Sequence, residues 1–503
     1  MAGPRYPTLY QINTRVRLHE LGAALGRPAT LEDVSDATID QLAADGFDWV
    51  WLLGVWQTGE AGRQVSLTQP DWQPEYRELL PDFTAADVCG SPFAVQEYVV
   101  NRDFGGPRAL EHFRKRLADR GVRLMLDFVP NHTALDHPWV RAHPEFYVRG
   151  GDDDLAREPA NYRLMVTDRG PVVLAHGRDP YFPGWPDTLQ VNYRHAGLRE
   201  AMLGALESVA DQCDGVRCDM AMLVLPDVIA RTWGDRALPS DGSQPVDAPF
   251  WPAATEHVRR RRRGFLFMAE AYWDLEWALQ QQGFDYTYDK RFYDRLRAQD
   301  AGAVRGHLTA DPEYQRRSAR FLENHDEPRA AAVFPPAVHE AAGVLAFLVP
   351  GLRFLHEGQR SGRKLRASNH LRRRAPEPID QILSSYYGRL LACLRRPEAR
   401  DGDWTLLEAR PAWEGNPTWE RFIAFSWDGG GRRLLAAVNY GPTQGQCYVP
   451  VPNATLPGRE LQLRDLMSPT TVYDREADEL AGRGLYLDMP AWGYHLFEMT
   501  ARG

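Results

Sequence analysis

The sequence predicts an α/β protein built on a closed barrel of eight parallel strands, each followed by a helix. A small subdomain is inserted after the third strand, and an antiparallel β-domain closes the chain. Three observations predict this. Short apolar runs alternate with helical patterns from Leu9 to Arg396. The alternation pauses once, between Thr133 and Tyr193, where Asp, Gly, Pro and aromatic residues outnumber any periodic pattern. After about Arg400 the pattern changes to short strands between Gly and Pro turns. The expected division is residues 1–132 and 194–400 for the (β/α)8, or TIM, barrel, 133–193 for the insertion and 401–503 for a carboxyl-terminal β-sandwich.

Leu9 to Asn13 reads as the first strand and Ile39 to Gly46 as a helix closed by glycine. Trp49 to Val55 is apolar at nearly every position, as a parallel strand covered on both faces must be. Gly106 to Arg120 carries Leu110, Phe113 and Leu117 at helical spacing, and the strand Arg123 to Val129 follows. The remaining strands are Gly215 to Asp219, Leu266 to Glu270, Asp285 to Tyr288, Ala319 to His325 and Arg353 to His356. Helices at 198–212, 254–263, 275–282, 294–308, 339–348 and 379–396 separate or follow them. An open doubly wound sheet would also alternate, but no Gly-rich phosphate loop follows the first strand. An insertion as long as 133–193 reads as a wall on one side of the active face. Six short strands between Arg421 and Met499 form the terminal β-domain.

Composition narrows the function. A net charge of -9 on 503 residues argues against a nucleic-acid partner, which calls for a basic face. The run Arg259 to Arg263 sits at a predicted helix end, where cations suit the dipole. Cys89, Cys213, Cys218, Cys393 and Cys447 are odd in number and scattered, so reduced thiols in a cytoplasmic protein are expected rather than a disulfide framework. Met1 to Tyr6 lacks the apolar core of a signal peptide and no run is long enough to span a bilayer, so no membrane partner is expected. Nothing in the sequence fixes an oligomeric state.

Three separate strand-like runs end on a carboxylate: Asp219, Glu270 and Asp326. Arg217 stands two residues before Asp219, so in a strand both side chains face the same way and the cation favours the ionised carboxylate. Read alone, that pair is also what a structural ion pair looks like.

Together, Asp127-Phe128-Val129-Pro130-Asn131-His132, Gly215-Val216-Arg217-Cys218-Asp219, Met268-Ala269-Glu270 and Glu323-Asn324-His325-Asp326 resemble, in content and order, the motifs of the α-amylase family of glycoside hydrolases and transglycosylases. The resemblance implies Asp219 as nucleophile, Glu270 as general acid/base and Asp326 as the third carboxylate, which grips sugar hydroxyls. It implies sugar contacts from His132 and His325, an orienting role for Arg217, and a structural role for Asp127. Retention needs one ionised and one protonated carboxyl about 5 Å apart. Arg217 is expected to hold Asp219 low, while burial and neighbouring carboxylates hold Glu270 high. Gly90 to Tyr98 resembles the loop whose ring floors the reacting subsite. Phe93 then takes the place of a tyrosine, with core packing as the competing role.

Many members of the family hold a calcium ion near the position of Asn131. The insertion here shows no oxygen-ligand loop, so an ordinary turn residue and no metal or cofactor are expected. After Asp219, the family's lysine or histidine is replaced by Met220-Ala221-Met222-Leu223-Val224, which predicts an apolar leaving-group side. The expected function is a retaining glycosidase acting on α-glucosidic bonds of malto-oligosaccharides or related α-glucosides, with an oligosaccharide as its partner. An α-glucan transglycosylase shares the same intermediate and is the first alternative. A non-catalytic binding protein of the same fold is the second, although such proteins usually lack one of the three carboxylates.

Overall fold

A computed structural model describes residues 3–451 and 460–502. Eight parallel strands close a barrel: β1 (Thr8–Asn13), β2 (Trp49–Leu53), β3 (Arg123–Phe128), β4 (Gly215–Cys218), β5 (Leu266–Ala269), β6 (Tyr286–Tyr288), β7 (Ser318–Arg320) and β8 (Leu352–His356). Every residue of β2, β4, β5 and β8 is buried, as the apolar runs of β2 and β5 require, and the burial extends to Arg217 in β4 and Arg353 and His356 in β8. The strand register sets which residues meet at the barrel mouth. Cys218 pairs with Ala269 and with Phe128, so the residues just beyond β4 and β5 emerge side by side at one end of the barrel.

The insertion begins where His132–Ala134 pairs antiparallel with Thr188–Gln190, and it contains a second hairpin, Tyr162–Thr167 with Gly170–Ala175. At the carboxyl end, six antiparallel strands form one sheet and three form another. Trp427, fully buried on the larger sheet, donates its indole hydrogen to Leu348 O at 2.7 Å and meets the Tyr6 ring edge-on. Four of the five arginines at 259–263 form ion pairs, with Asp285, Glu256, Glu207 and Asp211, so the run makes no concentrated positive field.

Several elements depart from expectation for local reasons. β7 stops at Arg320 rather than His325, because Asn324 Oδ1 accepts the amide hydrogens of Asp326 and Glu327 and turns the chain. The helix expected over 294–308 is two, Lys290–Arg297 and Ala301–His307. Gln299 is left-handed (φ 58°) between them, and Asp300 caps the second by accepting from Ala303 N. A helix after β1, Thr14–Leu25, was not legible from apolar spacing; Asn13 caps it through Val16 N. Between β2 and β3 the expected helix is present as Gly106–Ala118, but the stretch before it, read only as a loop near Phe93, carries helices Glu60–Thr68 and Gln73–Leu79 and the strand pair Trp56–Thr58 with Val95–Val100. In the terminal domain, the unpredicted edge strands Asp403–Leu407 and Val472–Glu476 mix polar and apolar residues and are half exposed.

Candidate active site

The parallel register delivers the three carboxylates. Asp219 and Glu270 lie one residue past the Cys218–Ala269 pair, and Glu270 N donates to Cys218 O at 3.0 Å. Arg217, fully buried, places Nη1 2.5 Å from Asp219 Oδ1 and Nη2 2.7 Å from Glu270 Oε2, so one guanidinium holds both carboxylates. Its plane is enclosed by the rings of Trp51, Phe93 and Tyr288 at 5.3–5.7 Å.

Glu270 has two further partners. Met220, in the left-handed region at φ 42°, turns its N–H onto Glu270 Oε2 at 2.8 Å, and the Tyr272 hydroxyl donates to Oε1 at 2.8 Å. A left-handed non-glycine residue is costly, and here the strain buys a donor aimed at a buried carboxylate. Burial foremost pushes the Glu270 carboxyl up to about 7; Arg217 opposes this, and Asp219 and Asp326 add to it. Burial also raises Asp219 above its ordinary value, against the pull of Arg217. The expectation that Arg217 holds Asp219 low is therefore corrected: desolvation of a fully enclosed carboxyl outweighs the cation.

The low carboxylate is Asp326. Burial works against its ionisation, but His325, Arg217 and Asn369 outweigh it and hold Asp326 below the usual range. His325 Nε2 lies 3.0 Å from Asp326 Oδ2, and Asn369 Nδ2 donates to Oδ1 at 3.1 Å. Gln11 Nε2, which can only donate, is 2.8 Å from His325 Nδ1, so Nδ1 is the accepting nitrogen of the ring and Nε2 faces Asp326.

His132 lies in the same cavity, edge-on to Trp185 at 5.1 Å, and burial drops its ionisation to about 3, leaving a neutral imidazole. Phe93 shares the cavity wall, packing 5.4 Å from the His325 ring beneath Arg217, so stacking face and packing residue are one position. Asp127 lies outside the cavity lining and acts locally. Its carboxylate accepts from Trp51 Nε1 at 3.0 Å and Gly54 N at 2.7 Å, tying the ends of β2 and β3.

The cavity, of about 330 Å³, brings together Asp219, Glu270, Asp326, His132 and Phe93. It also holds residues the sequence reading passed over, chiefly Trp72, Asp187, Tyr272, Asn369 and His370. Only Tyr272 carried a signal, its place two residues after Glu270. The apolar leaving-group side reduces to Met220, because Met222 and Leu223 are buried away from the cavity. Glu327, directly after Asp326, pairs with Lys290 at 3.4 Å and is not among the cavity-lining residues.

Asn131 is engaged with Gln190. Its Nδ2 donates to Gln190 Oε1 at 3.2 Å while Gln190 Nε2 donates back to Asn131 Oδ1 at 2.9 Å, an amide pair that occupies the oxygen. Among the described residues, no group of three His, Cys, Asp or Glu side chains is placed to hold a metal ion.

Comparison with known proteins identifies the family and the fold. Residues 91–389 match the family described as "Alpha amylase, catalytic domain". Alpha-amylase MalA of Haloarcula japonica is 26% identical over 411 residues, covering 80% of this chain and 51% of that protein. Maltase 1 of Drosophila virilis is 25% identical over 342 residues, 58% of this chain and 51% of its own. The chain thus spans about half the length of these curated relatives. Among solved structures, the maltogenic α-amylase AmyB of Thermotoga neapolitana superposes with a TM-score of 0.69 at 18% identity, covering 99% of both chains, a likeness of fold.

Proposed function

The chain belongs to the α-amylase family, and from that premise we propose that it is a retaining glycosidase acting on α-glucosidic bonds of malto-oligosaccharides or related α-glucosides. The observation that carries this reading is the single guanidinium of Arg217 bridging Asp219 and Glu270 at adjacent strand ends. Carboxyls gathered on one guanidinium fit the close spacing that retention uses, not the wider gap that admits a water between them.

The roles follow from the contacts. Met220 N–H donates to Glu270 Oε2 and the Arg217 cation lies 2.7 Å from the same oxygen, so the negative charge belongs on Oε2 and the acid's proton on Oε1. Asp219 attacks the anomeric carbon while Glu270 gives its proton to the leaving oxygen, forming a glucosyl ester on Asp219. Glu270, now ionised, takes a proton from water as that water attacks the same carbon and releases Asp219. Ionised Asp326 and the imidazole of His132 hold the sugar hydroxyls, while His325, outside the cavity lining, backs Asp326 through Nε2. The reaction asks for no metal, and the Asn131–Gln190 pair supports a metal-free junction.

Transfer to a second sugar is the alternative reading. Tyr181 stands 59% exposed, edge-on at 5.0 Å to Trp273, the residue after Tyr272, and offers a stacking face for a sugar acceptor. Product analysis with maltotriose separates the two, since products longer than the substrate mark transfer. Proton NMR of the first-formed product tests retention, with the α-anomer expected; loss of that product in Asp219→Asn with unchanged circular dichroism tests catalysis against mere binding. The unpaired thiols support a reducing, cytoplasmic setting. No helix among the described residues is long and apolar enough to cross a membrane.

A further inference from the structure

A second cavity, of about 660 Å³, lies between the helix Thr14–Leu25 and residues of the stretch that follows β2, and it shares no lining residue with the catalytic one. Cys89 lines this cavity while Ser91 and Phe93 line the other, so residues 89–93 separate the two. Five arginines line it against two carboxylates, in a chain whose net charge is -9. Local ion pairs account for part of the excess: Arg27 pairs with Asp33, and Arg63 with Glu60 at 2.9 Å. Arg102 and Arg372, both exposed, have no ion-pair partner among the described residues, and Asp103 is the lining carboxylate left over.

The fifth arginine is buried. Arg15 is 7% exposed, and no carboxylate pairs with it among the described residues. Its Nη1 donates to Gly90 O and, at 3.4 Å, to Cys89 Sγ, and its Nη2 donates to Thr58 Oγ1 at 3.1 Å. A guanidinium has five N–H donors, so Nε–H and one Nη2 hydrogen are left without a protein acceptor. Buried cations are normally paired, because taking a charge out of water is costly. Arg320 and Arg329 meet Asp289 and Glu323 at 3.1 and 3.0 Å, and Arg353 is enclosed by the carbonyls of Tyr6, Phe347 and Ala399. Arg15 has neither arrangement and opens onto the cavity instead. The positive field reaches His19, which also lines the space: burial foremost, then Arg373 and Arg372, push its ring below the ordinary histidine value against Asp87 and Glu20.

An oxyanion supplies what these groups lack. A phosphate offers paired oxygens to the parallel donors of a guanidinium and carries enough charge for more than one arginine. Leu18 and Phe104, both buried, add apolar surface to the lining. The volume falls within the roughly 300–1,000 Å³ typical of ligand pockets, so the guest can be larger than the anion alone.

We propose that this cavity is a second ligand site, which takes a phosphate-bearing small molecule on Arg15 with Arg102 and Arg372 adding charge. The site shares no residue with the catalytic cavity and stands apart from the glycosidase reading.

Calorimetric titration of the full chain at constant ionic strength tests it, with glucose 6-phosphate and inorganic phosphate as probes. The expected result is one-to-one binding of glucose 6-phosphate with a Kd below about 1 mM. Inorganic phosphate binding within about threefold of that value identifies the free ion as a sufficient guest, and binding at least about 10-fold weaker identifies a sugar phosphate; either supports the site. Arg15→Gln should weaken binding at least about 10-fold, and so should Arg102→Ala combined with Arg372→Ala. The second variant changes only exposed side chains, so it decides the matter should Arg15→Gln fail to fold. Failure of both probes to bind below about 10 mM, or undiminished binding in the double variant at wild-type melting temperature, would overturn the proposal.

Discussion

Tyr272→Phe removes one hydroxyl, 2.8 Å from Glu270 Oε1, and leaves the ring in place. A phenol donating to a carboxylate favours the charged form, so this bond holds the ionisation of Glu270 down. Burial, acting more strongly, has already pushed it up to about 7. A hydrogen bond to a charged group is worth about 1.5–3 kcal/mol, against about 1 kcal/mol for a neutral one. The difference, roughly 1 kcal/mol, corresponds to somewhat under one pKa unit at about 1.4 kcal/mol per unit. Because Glu270 is active as an acid, activity falls on the alkaline side as it ionises, and the variant's alkaline limb should move upward by about 0.5–1 unit. The limb belongs to the Asp219–Glu270 pair, which titrates as a unit on Arg217. The assay is kcat/KM for an α-glucoside across pH in wild type and variant. A limb that stays in place, or moves down, would refute this role of the hydrogen bond.

Other perturbations draw on the same geometry. Gln190→Ala breaks the amide pair with Asn131 and should lower stability by about 1–3 kcal/mol, while a chelator should leave both the melting temperature and activity of the wild type unchanged. A fall in either with chelator, restored by calcium, would contradict the metal-free junction. Trp427→Phe strands the Leu348 carbonyl and should cost about 1–3 kcal/mol in denaturant unfolding, and Trp427→Ala about 3–5 kcal/mol through the cavity as well.

The barrel was legible because its strands are buried on both faces, and unbroken apolar runs such as Trp49–Leu53 leave few other readings. Asp219 and Glu270 were legible because each follows directly on a buried strand, and the register of β4 against β5 then sets them side by side, whereas Asp326 lies in the turn after β7 and was legible through the Asn324-His325-Asp326 motif. The features that escaped lie where function depends on side chains meeting from distant segments. Trp72 and His370 are 298 positions apart and neither sits in a periodic pattern, so their contact has no sequence signature. The Glu270 link of Arg217 was hidden for a similar reason: two-residue spacing reveals a partner on the same strand, not one on the neighbour. The balance at Asp219 was misjudged because sequence shows the cation but not the depth of burial that outweighs it.

In the proposed mechanism Asp219 bonds covalently to the sugar while Glu270 serves the leaving group and the water. Incubating Glu270→Gln with an activated α-glucosyl fluoride, then digesting and sequencing by mass spectrometry, tests it most directly. The prediction is one glucosyl residue attached to the peptide bearing Asp219, on Asp219 itself. An adduct on Asp326, or turnover of the fluoride to the β-anomer with no adduct at all, would contradict it.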